Sequence, residues 1–369
     1  MMSENKKNIM FVIARLTGGG AERVVSVWAN MLNRKGYNVS ILLAYRSENE
    51  YETDEGIDIL TIGESESKYI EKSFKEKITI IRNYIKKSKI DYVISFLFSM
   101  QILTMIASIG LKIKRIETIR VNPWMLMSLE SGLKQKLWKI CFITSSAVIV
   151  QTQEQLEFFS KRNRKKSIVI PNPIADCYIN KFKSENIKKV NKFIAVGRIT
   201  SQKNYEMMIS AFAKVKDYKK DIVLDIYGTG EKDYIEKIQN IIKKYNLESS
   251  VKLKGRNPYM ENVYSKYDVF LMTSNYEGLP NALIEAMASR LVCISTNCKT
   301  GPKDLIDDTI NGFLTKVGDE EDMVLTIKKV IDMSPRSLND MADNARNKII
   351  NYCSKENGFD KLCNLIDNL

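Results

Sequence analysis

Short runs of apolar and β-branched residues recur along the chain, and most are continuous rather than alternating. NIMFVIA (8–14), NVSILLA (38–44), DILTIG (58–63), YVISFL (92–97), RIETIR (115–120), AVIVQT (147–152) and SIVIPN (167–172) form a first series. A strand covered on both faces has no polar side to alternate with, so these runs predict parallel strands inside a layered fold. Between them lie stretches with apolar residues every three or four positions, such as AERVVSVWANMLNRKG and EKITIIRNYIKKSK, which predict helices. The segment 171–191 holds two prolines and no clear period, and reads as a linker. The pattern then restarts with KFIAVGRIT (192–200), IVLDIYGTG (222–230), VKLKGR (251–256), VFLMTS (269–274), LVCIST (291–296) and GFLT (312–315), again separated by helical stretches. The last 45 or so residues read as helical.

Two consecutive β-α-β series predict an α/β protein with two doubly wound, Rossmann-like domains facing each other across a cleft. The expected boundaries are a first domain at 1–175, a linker at 176–191, a second domain at 192–350, and a helix at 351–369 packing back on the first domain. Ligands of such sheets sit beyond the carboxyl ends of the strands, so the cleft is the expected site.

A length of 369 residues fits two domains at about 100–200 residues each. With 44% hydrophobic and 27% charged residues the chain is neither disordered nor membrane-embedded. No window approaches the ~18 apolar residues of a spanning helix. The N-terminal apolar run begins at Ile9 and breaks at Arg15 without a small-residue cleavage site, which gives no secretory signal and an expected cytoplasmic location.

The chain contains no histidine. Ser-His and Cys-His nucleophiles, His bases and His-ligated metals are therefore excluded. The six cysteines form no CxxC, so a zinc or redox motif is not expected. Catalysis falls to carboxylates, Arg, Lys, hydroxyls and backbone dipoles. The net charge is +13, and residues 1–180 carry 27 basic against 18 acidic side chains. That bias fits a polyanionic surface or an anionic substrate; the alternative is Lys-rich composition without a particular partner.

Four motifs fall where strands end. TGGGAERV (17–24) puts three glycines before a helix, either a phosphate-contacting turn or a plain βα turn. GRITSQKN (197–204) brings Arg198 and Lys203 to the end of the first strand of the second series, where paired cations can neutralise a diphosphate leaving group; two solvated side chains are the other reading. YEGLPNALIEAMA (276–288) spaces Glu277 and Glu285 as E-x7-E around a Gly278–Pro280 turn, with a helix starting near Asn281. A loop carboxylate beside oriented amides can hold sugar hydroxyls and an oxyanion together. TGPKDLIDDTINGFL (300–314) reads as structural.

Basic residues cluster in 112–140, which has seven cations against two acids, and in KRNRKK (161–166). WMLMSLESGLKQKLWKICF (124–142) interleaves large apolar residues with lysines. It suits a helix lying on an anionic membrane, or equally a core-packing helix with a solvated face. No nucleic-acid-binding signature accompanies the charge, so nucleic acid is not an expected partner.

Together these residues resemble the retaining glycosyltransferases of family four, which have the GT-B fold. VGRITSQKNYEMMISAF, DIYGTGE, VKLKGR, SNYEGLPNALIEAMA and GPKDLI with NGFL are similar to the family's motifs in order and spacing, and GGGAERV matches its glycine loop. The resemblance covers essentially the whole chain, and within the family it is closest to bacterial enzymes that extend lipid-linked surface glycans such as capsule and lipopolysaccharide. It implies retaining transfer of a hexose or N-acetylhexosamine from a nucleotide diphosphate sugar, with UDP expected as the commonest nucleotide, to a glycan or lipid-linked glycan at the inner face of the membrane. It also implies roles. Arg198 and Lys203 would hold the diphosphate beside Gly197. Glu277 would contact the donor sugar, with the backbone of Gly278, Leu279, Pro280 and Asn281 alongside. Glu285 would bind the ribose, the Gly255–Arg256 turn would border the base, and Gly19 and Gly20 would close over the phosphates. No cofactor and no metal are expected. Many members place a His after a middle strand of the first domain; here IRVNPW stands in that place, with Arg120 or Asn122 on the acceptor side. Competing classes each lack a feature. A GT-B epimerase would not need E-x7-E, a phosphorylase would need a pyridoxal lysine and a longer chain, and a non-catalytic binder would not need Arg198, Lys203 and Glu277 together.

Overall fold

The structure, a computed structural model, describes residues 6–369. Residues 1–5, part of the stretch read for a leader, lie outside the described residues. The chain divides into two compact units: residues up to Asn172 together with Gly358–Leu369, and Pro173–Asn357.

The first unit is built on a parallel sheet of β1 (Asn8–Ile13), β2 (Asn38–Leu43), β3 (Asp58–Thr61), β4 (Tyr92–Ser95), β5 (Lys114–Thr118), β6 (Ala147–Val150) and β7 (Ser167–Val169), in the order β3-β2-β1-β4-β5-β6-β7. The central strands are buried on both faces, which is why their sequences do not alternate. One face packs on the helix Gly20–Arg34, whose Val24, Val25, Trp28 and Leu32 are buried, and on the C-terminal helix Lys355–Asp367 through Phe359, Leu362, Cys363 and Ile366. The other face carries the helices Phe74–Lys87, Phe98–Ala107 and Gly132–Thr144.

The second unit repeats the plan with β8 (Lys192–Val196), β9 (Val223–Tyr227), β10 (Val251–Gly255), β11 (Val269–Met272), β12 (Val292–Thr296) and β13 (Phe313–Thr315), all parallel in the order β10-β9-β8-β11-β12-β13. In both sheets the order reverses beside the first strand, leaving a crevice at the strand ends.

The expected linker at 176–191 belongs to the second unit. Tyr178, Ile187 and Val190 are in its cores, and Asp176–Asn180 is helical. The carbonyls of this aperiodic stretch are satisfied by side chains far along the chain. Arg290 donates to Lys183 and Glu185 oxygens, and Arg346 to those of Tyr178 and Ile179. The first unit correspondingly ends at 172 rather than 175 and resumes at 358.

Candidate donor site at the strand ends of the second unit

β8 ends at Val196, where the chain bends at Gly197, whose N–H still donates to Tyr227 O at 3.0 Å. The loops after β8 and β9 then run in contact, with Ile199 N–H donating to Thr229 O at 2.8 Å. Gly228 (φ +150°) and Gly230 make this possible: a Cβ at Gly228 would lie 1.9 Å from Gly197 O, and one at Gly230 2.1 Å from Ile199 O. Neither glycine is among the residues expected for the site; their signal in the sequence is the GTG that follows DIY.

The loop 201–204 is stitched to the loop after β11. Asn275 N–H donates to Gln202 O, Asn275 Nδ2 to Ser201 O and Gln202 Nε2 to Tyr276 O, at 2.8–3.0 Å. Thr273 Oγ1 donates to the carbonyls of Lys203 and Asn204. Asn204 sits in the left-handed region (φ +51°) and its Oδ1 caps the helix Tyr205–Tyr218. With its backbone pinned, Lys203 folds back over Gly197, where a Cβ would come within 3.0 Å of its Cε. Its Nζ reaches Glu277 Oε1 at 2.5 Å, and Ser274 Oγ donates to the same oxygen at 2.6 Å. Both side chains of the pair are largely buried. Beneath them Tyr205 donates to Gly197 O at 3.2 Å. Burial, reinforced by the Glu277 charge, pushes its phenol up, so it remains a neutral donor.

The Glu277–Asn281 turn rests on the segment after β12. Thr300 Oγ1 donates to Glu277 O, and Gly301 (φ +96°) lies so close that a Cβ would be 2.5 Å from Gly278 O. The reading of 300–314 as structural thus gains a location: it buttresses the E-x7-E turn. Leu279 and Pro280 are buried, and the helix Asn281–Ala288 starts after Pro280 with no side-chain cap. Pro280, its N-cap residue, has no side-chain oxygen to offer, so the positive end of this helix follows directly on the Glu277 turn. Glu285 is half-buried, 3.4 Å from the phenol of Tyr264. Burial, with the carboxylate second, holds that phenol well above its usual range, so it too stays protonated. Arg198, beside Gly197, and Arg256, after Gly255 (φ +68°), are exposed.

The remaining predicted residues lie in the first unit. Gly19 precedes the helix Gly20–Arg34, and the Glu22 side chain folds over it: a Cβ at Gly19 would meet Glu22 Oε2 at 2.1 Å. Burial raises the Glu22 carboxyl above its ordinary value. The glycine loop thus already holds an acid at its helix N-terminus. Arg120 lies just past β5. Its guanidinium sits 4.8 Å over Trp28 and 5.4 Å from Phe96, and Nη1 donates to Asn172. Its Nε and Nη2 are buried without a hydrogen-bond partner, and burial pulls its pKa down to about 9. Asn122 is buried, and its Oδ1 accepts from Met125 N–H as the cap of Pro123–Leu129. Among the described residues no three His, Cys, Asp or Glu side chains come together as a metal site.

Residues 178–348 match the family model of glycosyl transferases group 1. A glycosyltransferase of amylovoran biosynthesis from Erwinia amylovora is 30% identical over 298 residues, 79% of this chain and 80% of that protein. The chain belongs to the group 1 glycosyltransferases. An α-1,4-N-acetylgalactosaminyltransferase of Campylobacter jejuni, named as acting on an undecaprenol diphosphate-linked glycan, is 28% identical across 93% of this chain and 91% of its own. Among solved structures, HepE of Anabaena in complex with UDP and glucose superposes with a TM-score of 0.79 at 15% identity, covering 98% of this chain and all of that one, and the galactosyltransferase WaaB with 0.73 at 19%, covering 98% and 99%. The two parallel-sheet units are thus those of a GT-B glycosyltransferase.

Proposed function

We propose that this glycosyltransferase moves a hexose or N-acetylhexosamine from a UDP-sugar to a lipid-linked glycan of a bacterial surface polysaccharide, with retention at the anomeric carbon. The observation that carries the reading is the Lys203–Glu277 pair, seated over Gly197 in the turn that leads into the helix Asn281–Ala288. Departure of a nucleotide diphosphate builds negative charge on its phosphate oxygens and positive charge on the sugar ring. Lys203 and Arg198 answer the first, with the N–H groups of the Gly278–Asn281 turn; Glu277 answers the second. Because Glu277 also holds Lys203, the donor diphosphate shares a cation already in place. Glu285, braced by Tyr264, takes the ribose, and Arg256 borders the base. A phosphate can reach the Gly19–Gly20 loop only once Glu22 is displaced or protonated. On the acceptor side Arg120, with two uncommitted N–H groups, is favoured over Asn122, whose Oδ1 serves a helix. The UDP held by HepE and the lipid-linked substrate named for the Campylobacter relative support these choices.

No helix of the described residues is long and apolar enough to cross a membrane. The helix Gly132–Thr144 supports peripheral binding at the cytoplasmic membrane face. It buries Trp138, Cys141 and Phe142 and exposes Leu133, Ile140 and Ile143 among Lys134, Lys136 and Lys139, with no acid of its own.

A thermal-shift screen of the full chain across UDP-, GDP- and ADP-sugars, followed by transfer assays on lipid diphosphate acceptors with and without chelator, tests the reading. Stabilisation by UDP-sugars and chelator-resistant transfer are expected. Transfer that strictly requires added magnesium or manganese contradicts the roles of Arg198 and Lys203.

A further inference from the structure

A cavity of about 290 Å³ opens at the carboxyl ends of β4 and β5 in the first unit. Its walls include Leu97, Phe98, Ile119, Val121, Leu126 and Trp138. Its polar side chains are mostly occupied with one another. Gln101 donates to the carbonyls of Ser95 and Thr118 and accepts from Trp138 Nε1 at 2.6 Å; Thr118 Oγ1 donates to Ser95 O. Glu130 pairs with Lys134 at 3.2 Å. Arg120 also lines the cavity; its Nη1 donates to Asn172 and its face lies over Trp28 and Phe96, while its buried Nε and Nη2 have no hydrogen-bond partner, a cation suited to a phosphate at the pocket rather than to the chain within it.

A sugar in this pocket would lose water from its hydroxyls and find few partners, at a cost for each unpaired group. A hydrocarbon loses nothing on entry and covers apolar wall. The volume is at the small end for ligand pockets, enough for a short stretch of chain rather than a long tail. The segment that lines it with Leu126 and Glu130 also exposes Leu129 and Leu133, each 70% accessible. An apolar chain is therefore met by apolar side chains outside the pocket as well as within it.

We infer that this pocket binds the head-proximal hydrocarbon of a lipid phosphate. The inference rests on the proposed lipid-linked acceptor and adds where its chain is held. The test is calorimetry on the full chain with farnesyl phosphate and dodecyl phosphate below their micellar concentrations, and inorganic phosphate as the control. At least one lipid phosphate is expected to bind at least tenfold more tightly than inorganic phosphate. Leu126→Trp, which fills the cavity, and Val121→Trp at its exposed rim are each expected to weaken that binding about tenfold while leaving UDP affinity unchanged. Preference for the farnesyl chain assigns the pocket to a polyprenyl carrier; equal or stronger binding of the straight chain assigns it to bilayer lipid. Lipid phosphates binding no better than inorganic phosphate, or binding both variants as tightly as the wild type, overturn the inference. Failure of UDP to bind the wild type would instead strike the donor site and leave this result standing.

Discussion

One oxygen of Glu277 accepts from both Lys203 Nζ and Ser274 Oγ, so the carboxylate proposed to face the sugar also fixes the cation proposed to face the diphosphate. The two residues then cannot act independently. Glu277→Gln, which leaves the largely buried Lys203 ammonium without a counter-charge, and Lys203→Met, which leaves the Glu277 carboxylate without its cation, should each cost about 1–3 kcal/mol of stability, and the double variant should cost less than their sum by about 0.5–3 kcal/mol. Urea unfolding of the four proteins measures this, and strict additivity would show the pair to be incidental. GRITSQKN and E-x7-E announced both residues in the sequence, but not their bond, which depends on the stitching of two loops some 70 residues apart. Glu22 was illegible for the opposite reason. GGGAERV looks like an open phosphate loop until the acid three residues after Gly19 folds back over it.

At the scale of elements, the strands were legible because burial on both faces leaves continuous apolar runs. The segment 176–191 was not, because Arg290 and Arg346, more than a hundred residues later, satisfy its carbonyls and no local period records that. The helix Gly132–Thr144 lies between these cases. Its lysines and apolar residues could be read in the sequence, but which of them face outward only the fold decides. Each lysine near an anionic surface contributes about 1 kcal/mol, less in salt. Replacing Lys134, Lys136 and Lys139 by Gln should therefore weaken sedimentation with phosphatidylglycerol-containing vesicles about 100-fold at low salt. Equal partitioning of wild type and variant would leave these lysines as a solvated face.

The molecule as a whole carries a pH dependence set inside the first sheet. Glu117 is fully buried between Arg115, at 2.9 Å, and Ser95, and burial lifts its pKa from 4.5 to about 7 against the pull of Arg115. The folded state therefore holds this proton more tightly than the unfolded chain does. The resulting stabilisation is full below pH 4.5 and lost as pH rises through about 7. The stability of the wild type relative to Glu117→Gln should fall across that window, and denaturant titrations at pH 4.5 and 7.5 measure it; a pH-independent difference contradicts the assignment.

The central claim is that the second unit binds the donor nucleotide while Glu277 acts on the departing sugar. Calorimetry with UDP and single-turnover transfer at saturating donor, on wild type and Glu277→Gln, test it together. A Gln side chain can still accept a hydrogen bond from Lys203 but offers no charge to the ring. UDP affinity should therefore stay within a few-fold while turnover falls about 100-fold or more. A variant that loses UDP binding yet keeps its turnover at saturation would contradict the account.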